Sequence, residues 1–321
     1  MNRREIIVGL GSAAAWPVAA RAQQPAMPVI GFVEADAPAA VAPFRRGLGE
    51  TGFVEGQNVA VEYHYLEGKY DRLPALMTDL VRRRVAVIAM ANTAAALAAK
   101  AATATIPIVF GVGQDPVKLG LVTSLARPGS NATGINFFNQ EVDGKRLALL
   151  HELVPNAMRV AVLLNPANLT AEATLRGVQE AARAIDLQIH VFNASTSREI
   201  DGAFDNLVRE HSDALLVAGD GFFSSRRAQF VTLAARDRIP ATYPNREFVA
   251  AGGLMSYGTN SADRYRQIGV YTGNILKGAK PADLPVQQST RFEFVINLQT
   301  AKLLGVDVPE TLLATADEVI Q

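Results

Sequence analysis

Short, nearly unbroken apolar runs recur along this chain, separated by stretches whose apolar residues return at helical spacing. Residues 29–34 (VIGFVE), 85–90 (VAVIAM), 106–112 (IPIVFGV), 159–164 (RVAVLL) and 214–218 (ALLVA) are runs of the kind expected for strands covered on both faces of a parallel sheet. Residues 59–65 alternate as a further strand, and 188–192, 239–243 and 292–297 complete the set. Helical patterns fall between them, at 41–51, 70–83, an Ala-rich stretch after 92, 143–153, 170–185, 199–210, 224–236, 261–276 and 298–304. In 70–83, for example, Leu73, Leu76, Met77 and Leu80 mark one face. Strands alternating with helices predict an α/β protein with parallel sheets and right-handed crossovers.

The alternation breaks at 127–134 (RPGSNATG), a run of turn formers, and then restarts. The halves rhyme. An apolar strand, a polar strand end, an Ala-containing helix and an Ile-Pro strand (Ile106-Pro107, then Ile239-Pro240) occur in each. This weak internal symmetry predicts two Rossmann-like lobes, and 321 residues are enough for both. Extended, turn-flanked pieces near 133–138, 254–259 and 286–292 read as three hinge crossovers between the lobes. The expected division is 27–134 plus 258–288 for lobe one and 135–257 plus 289–321 for lobe two, closing as a clamp over a ligand.

Residues 1–22 read as a cleavable signal peptide. Arg3 and Arg4 form its charged start, 6–20 its weakly apolar middle, and Ala20-Arg21-Ala22 its cleavage motif. The paired arginines resemble a twin-arginine signal, although Asn2 precedes them, so the general and twin-arginine export routes both stay open. The expected location is the periplasm. The 31 basic and 31 acidic residues balance without a basic stripe, which argues against nucleic-acid binding. The absence of cysteine removes thiol nucleophiles, disulfides and Cys-type zinc sites. His64, His151, His190 and His211 show no metal spacing, and neither a nucleophile elbow nor a nucleotide-binding glycine motif occurs in the mature chain. No enzyme activity, metal or cofactor is therefore expected.

In a two-lobe clamp the strand ends line the cleft. They place Asn92, Thr93, Gln114 and Asp115 in lobe one and Asn165, Asp220, Phe222 and Tyr243 in lobe two, with Phe137 and Tyr257 on the crossings; the strand ends at Glu34 and at residues 243–247 are further candidates. Asn92 and Thr93 open a helix whose N–H groups can hold a carboxylate. Asp115 and Asp220 offer acceptors to an ammonium or hydroxyls. The aromatics supply apolar area and a stacking face. The competing reading makes Asn92 and Thr93 helix caps and Asp115 part of a turn before Pro116. It also makes one of Phe222 and Phe223 plain packing and keeps Arg226, Arg227 and Arg246 at the surface.

Several longer stretches carry a resemblance: AAWPVAARAQQ (14–24), DPVKLGLVTSLARPGSNATG (115–134), LLHELVPNAMRVAVLLNP (149–166), REFVAAGGLMSYG (246–258) and ILKGAKPADLPVQQSTRFEFVINLQTAKLLGV (275–306). Together they resemble the ABC transporter substrate-binding proteins of the type I periplasmic binding fold. Ser130 stands where that family commonly has glycine. The resemblance implies two lobes, no catalysis, and a monomer that carries a small solute to an inner-membrane ABC permease. Amino acids and aromatic compounds are the expected solutes, since relatives include binders of aromatic amino acids. The alternative is a periplasmic sensor that presents the same bound solute to a receptor.

Overall fold

The computed structural model describes residues 27–34, 38–137 and 139–321; the expected signal peptide lies outside them. The first half runs β1 (Val29–Glu34), α1 (Pro38–Glu50), β2 (Ala60–Tyr65), α2 (Leu73–Arg83), β3 (Val87–Met90), α3 (Thr93–Ala102), β4 (Ile108–Val112) and β5 (Ala132–Asn136). The chain then crosses to α4 (Asn139–Leu153), β6 (Arg159–Leu164), α5 (Ala171–Ala184), β7 (Gln188–Asn193), α6 (Ser197–Arg209), β8 (Ala214–Val217), α7 (Gly221–Ser225), α8 (Arg227–Asp237), β9 (Ala241–Tyr243), α9 (Arg246–Ala250) and β10 (Met255–Thr259). It returns through α10 (Ser261–Leu276) to β11 (Gln287–Gln288), and crosses again to β12 (Phe292–Asn297), α11 (Leu298–Leu304), α12 (Glu310–Thr315) and β13 (Glu318–Ile320).

Two sheets result, ordered β11-β5-β4-β3-β1-β2 and β13-β12-β10-β9-β8-β6-β7. Every pairing is parallel except β10 with β12. Strand periodicity explains the unbroken apolar runs, because successive side chains enter different layers. In the first sheet Ile88, Met90, Ile108 and Phe110 pack under α2 and α3, while Val87, Ala89 and Val109 join the α1 and α10 layer. In the second, Val160, Val162 and Leu216 lie in one core layer, and Ala161, Leu163 and Leu215 in the other.

The crossings fall after Asn136, after Thr259 and between Gln288 and Phe292, and they are tied together. Thr259 Oγ1 donates to the Phe137 carbonyl at 3.1 Å. Ser289 N–H donates to the Asn136 carbonyl at 2.8 Å, and Asn260 N–H to the Arg291 carbonyl at 3.0 Å. Residues 135–136 thus pair within the first sheet, and 258–259 within the second.

The sequence pattern differs from the structure in three places. The single helix expected at 224–236 is two, α7 and α8, broken at Arg226. The piece near 254–259 is not a bare connection but strand β10, paired on both sides. The short elements α9, α12 and β13 have no counterpart in the pattern, being too brief to show a period.

Candidate functional site

The carboxyl ends of the two sheets border one cavity of about 440 Å³, lined by both halves and by the crossings. That volume lies within the roughly 300–1,000 Å³ usual for small-molecule sites.

Lobe one presents the start of α3. The Asn92 side-chain oxygen accepts the Ala95 N–H at 2.9 Å, closing the helix end. Thr93 Oγ1 donates to Gln114 Oε1 at 2.8 Å, joining the ends of β3 and β4. Asn92, Thr93 and Gln114 all line the cavity. Glu34, at the end of β1, is buried to 3% exposure and lines it too. Burial and then the nearby Glu34 charge raise the pKa of the Tyr265 hydroxyl, and the neighbouring Arg264 opposes them.

Lobe two presents Asp220, which is 7% exposed. Its Oδ1 accepts from Asn165 Nδ2 at 3.1 Å and from the Phe223 N–H at 3.0 Å. Its Oδ2 accepts from Asn168 Nδ2 at 3.0 Å. Burial pushes the Asp220 carboxyl upward, and these donors oppose the shift. Arg146 lines the floor, fully buried and ion-paired with Asp143, and it donates to the Val217 carbonyl at 3.1 Å.

Between the halves, the Arg264 guanidinium lies over the rings of Phe137 (4.7 Å) and Tyr265 (4.8 Å). Its Nε is buried without a hydrogen-bond partner. Leu73, Pro74, Ala94, Ala98 and Phe137 give the cavity its apolar wall.

Of the ten residues expected from sequence, Asn92, Thr93, Gln114, Phe137 and Asp220 meet at this cavity. Asn165 stands behind it, orienting Asp220. Four others are not brought to it. Asp115 is exposed, and its Oδ1 accepts the Val117 N–H at 2.9 Å, so it closes a turn. Phe222 and Phe223 are both core residues, 6% and 0% exposed. Tyr243 is fully buried and stacked on Phe248 at 4.8 Å. Tyr257 stacks on Phe292 at 6.0 Å, whereas its neighbour Gly258 borders the cavity, as the period of two demands. Arg227, expected at the surface, lines the cavity. Arg246 instead bonds Glu318 at 2.6 Å and stays outside.

Tyr70, Asn168, Arg264 and Tyr265 line the cavity without having been singled out from sequence. Asn245 and Glu247, in the 243–247 strand end expected to face the cleft, also line it. Arg264 and Tyr265 sit one turn into α10, where a charged residue reads as a solvated face.

Two parallel-dominated sheets, three tied crossings and a cavity at the facing strand ends define a two-lobe binding protein of the type I periplasmic binding fold. The chain belongs to the ABC transporter substrate binding protein family, whose model matches residues 26–320. It is 27% identical over 267 residues to a tyrosine-binding protein of Clostridioides difficile, covering 82% of this chain and 75% of that one. A Streptococcus pneumonia ABC domain in complex with L-Trp superposes with a TM-score of 0.82 at 24% identity, covering 91% of this chain and 99% of that chain. A ligand-free, open substrate binding protein with adhesive properties from Clostridium difficile superposes with a TM-score of 0.64 at 24% identity, covering 92% and 99%. Among the described residues no helix is long and apolar enough to cross a membrane, and no three His, Asp or Glu side chains come together as a metal-binding group.

Proposed function

We propose that this protein is the solute-capturing component of an ABC importer, that it works in the periplasm, and that its solute is an α-amino acid with an aromatic or large apolar side chain. The carrying observation is the cavity itself, closed by strand ends of both sheets, with a guanidinium and a helix start in lobe one beside an apolar wall. The first N–H groups of α3, at Thr93 and Ala94, have no intrahelical acceptor. With Arg264 Nε unpartnered, they form a place for a carboxylate. Three acids (Glu34, Asp220, Glu247) and three arginines (Arg146, Arg227, Arg264) border the cavity, a balance that suits a zwitterion better than a multiply charged anion. The tyrosine-binding and L-Trp-complexed relatives support the same class. The better superposition on the L-Trp complex than on the open, ligand-free protein supports a closed arrangement.

Isothermal titration of the purified mature protein against the protein amino acids, aromatic carboxylates and neutral sugars tests this reading. Tyrosine, tryptophan or a similar amino acid is expected to bind and to raise Tm, with linkage stabilising the folded state by about 2.7 kcal/mol at 100-fold over Kd. Binding confined to sugars would overturn it.

A further inference from the structure

The ligand's amine needs an acceptor, and the two aspartates first offered for that role do not supply a free one. Asp115 is exposed and closes a turn. Asp220 already accepts from Asn165, Asn168 and the Phe223 N–H. Gln114 Oε1 accepts from Thr93, and Asn168 Oδ1 accepts from the Thr170 N–H and hydroxyl.

Among the described residues that line the cavity, and apart from Glu34, which faces the Tyr265 hydroxyl, two side-chain acceptors remain. Asn245 Oδ1 and Glu247 Oε2 are buried and have no hydrogen-bond partner. Both follow β9 in lobe two. Asn245 occupies the position before a helix that Asn92, Thr196, Asp220, Asn260 and Asn297 occupy elsewhere, and each of those five caps its helix with its side chain. Asn245 does not: its backbone (φ −155°, ψ 161°) is extended like those of Asn92, Thr196 and Asp220, yet its side chain caps nothing. The neighbouring cation Arg246 is directed away, toward Glu318 and Glu293. A buried carboxylate oxygen and a buried amide oxygen left without donors are costly unless a donor arrives. The charge of Glu247 favours a cationic donor. On the opposite lobe, Arg264 Nε and the start of α3 present donors to the cavity.

Building on the amino-acid reading above, we infer that Asn245 and Glu247 form the amine-reading pole of the site and that Glu247 is the residue by which the protein tells an α-amino acid from the corresponding amine-free acid. The ligand then spans the lobes with its carboxylate on lobe one and its ammonium on lobe two, and its side chain lies along the Leu73, Ala94 and Phe137 wall.

The test is calorimetric titration of the wild type and Glu247→Gln with L-tryptophan, L-tyrosine, indole-3-propionate and 3-(4-hydroxyphenyl)propionate. The wild type is expected to prefer the amino acids by about 100-fold or more, because an unmet buried acceptor rejects the amine-free analogue. In Glu247→Gln the amino acids should weaken by roughly 10–100-fold, the loss of a charge-assisted hydrogen bond. The amine-free acids should shift by no more than about threefold, so the preference collapses. Equal wild-type affinity for acid and amino acid overturns the inference without a variant, so it does not depend on the variant's folding. A preference that survives Glu247→Gln also overturns it, and leaves the amino-acid reading standing. No binding of any of the four, nor of phenylalanine, leucine or methionine titrated beside them, overturns both.

Discussion

Asn92 and Asp220 each cap a helix through the same side chain that borders the cavity, so cap and candidate ligand contact are not rival readings of these residues. A helix start at a strand end brings the N–H groups and the polar side chain to one point, and the cavity inherits both. Ser195 and Thr196 show the same local chemistry without the cavity. Thr196 Oγ1 accepts the Glu199 N–H at 3.2 Å, and Glu199 Oε2 accepts from the Ser195 N–H and hydroxyl at 2.6 and 2.7 Å. The Ser195 backbone and side-chain bonds hold the Glu199 carboxyl below its usual range. Its folded pKa therefore lies under its unfolded one. The stability it adds is complete above the unfolded value and is lost as pH falls through the folded value. Glu199→Gln should accordingly lower Tm at neutral pH, with the deficit shrinking toward zero below about pH 4. Paired thermal melts across that range check it, and a deficit independent of pH would contradict the ionised cap.

At the level of elements, α10 matters most, since it leaves the second sheet, packs in the first lobe and carries Arg264 and Tyr265 to the cavity. It lies so close to α1 that a Cβ on Gly47 would fall 1.9 Å from the Arg266 carbonyl oxygen, and one on Gly269 2.2 Å from that of Phe44. Gly47→Ala must push backbone away from backbone and should cost about 1–3 kcal/mol. Gly49, two residues along, has nothing within 4 Å, so Gly49→Ala should be neutral or stabilising by up to about 1 kcal/mol. Urea unfolding of the pair checks this, and equal midpoints would contradict the packing. The apolar runs made β1 and β6 legible to the residue, because strands covered on both faces need no partner to declare themselves. The break at Arg226 and the pairing of β10 depend on contacts distant in sequence, and periodicity does not carry them. The same distinction divides the site. Groups at strand ends, such as Thr93 and Asp220, were readable, whereas Arg264 reaches the cavity only because a crossing returns α10 to lobe one.

For the whole molecule, the question is what holds the two lobes together once a solute is between them. Apart from the crossings, the 66–70 turn of lobe one rests on the start of α7 in lobe two. Gly68, at φ +80°, approaches so closely that a Cβ there would lie 3.0 Å from Phe222 Cδ2. The Tyr70 hydroxyl faces the Asn92 side chain in its own lobe and the Gly221 N–H in the other, and burial with the nearby Asp220 charge raises its pKa. A hydrogen bond that exists only across the closed cleft stabilises the closed state without helping either lobe fold. Tyr70→Phe removes the hydroxyl that faces the other lobe and keeps the ring. The closed population falls, and apparent Kd rises in inverse proportion to it. One net hydrogen bond corresponds to roughly a fivefold effect. Because the cause is closure rather than contact, Kd should rise by the same factor for every solute that binds, faster dissociation should account for most of it, and the unliganded Tm should be unchanged. Stopped-flow rates with two or more ligands decide the matter, alongside small-angle scattering to follow compaction on ligand addition. A change in selectivity between ligands would make Tyr70 a ligand contact, and identical scattering curves with and without ligand would remove the clamp itself.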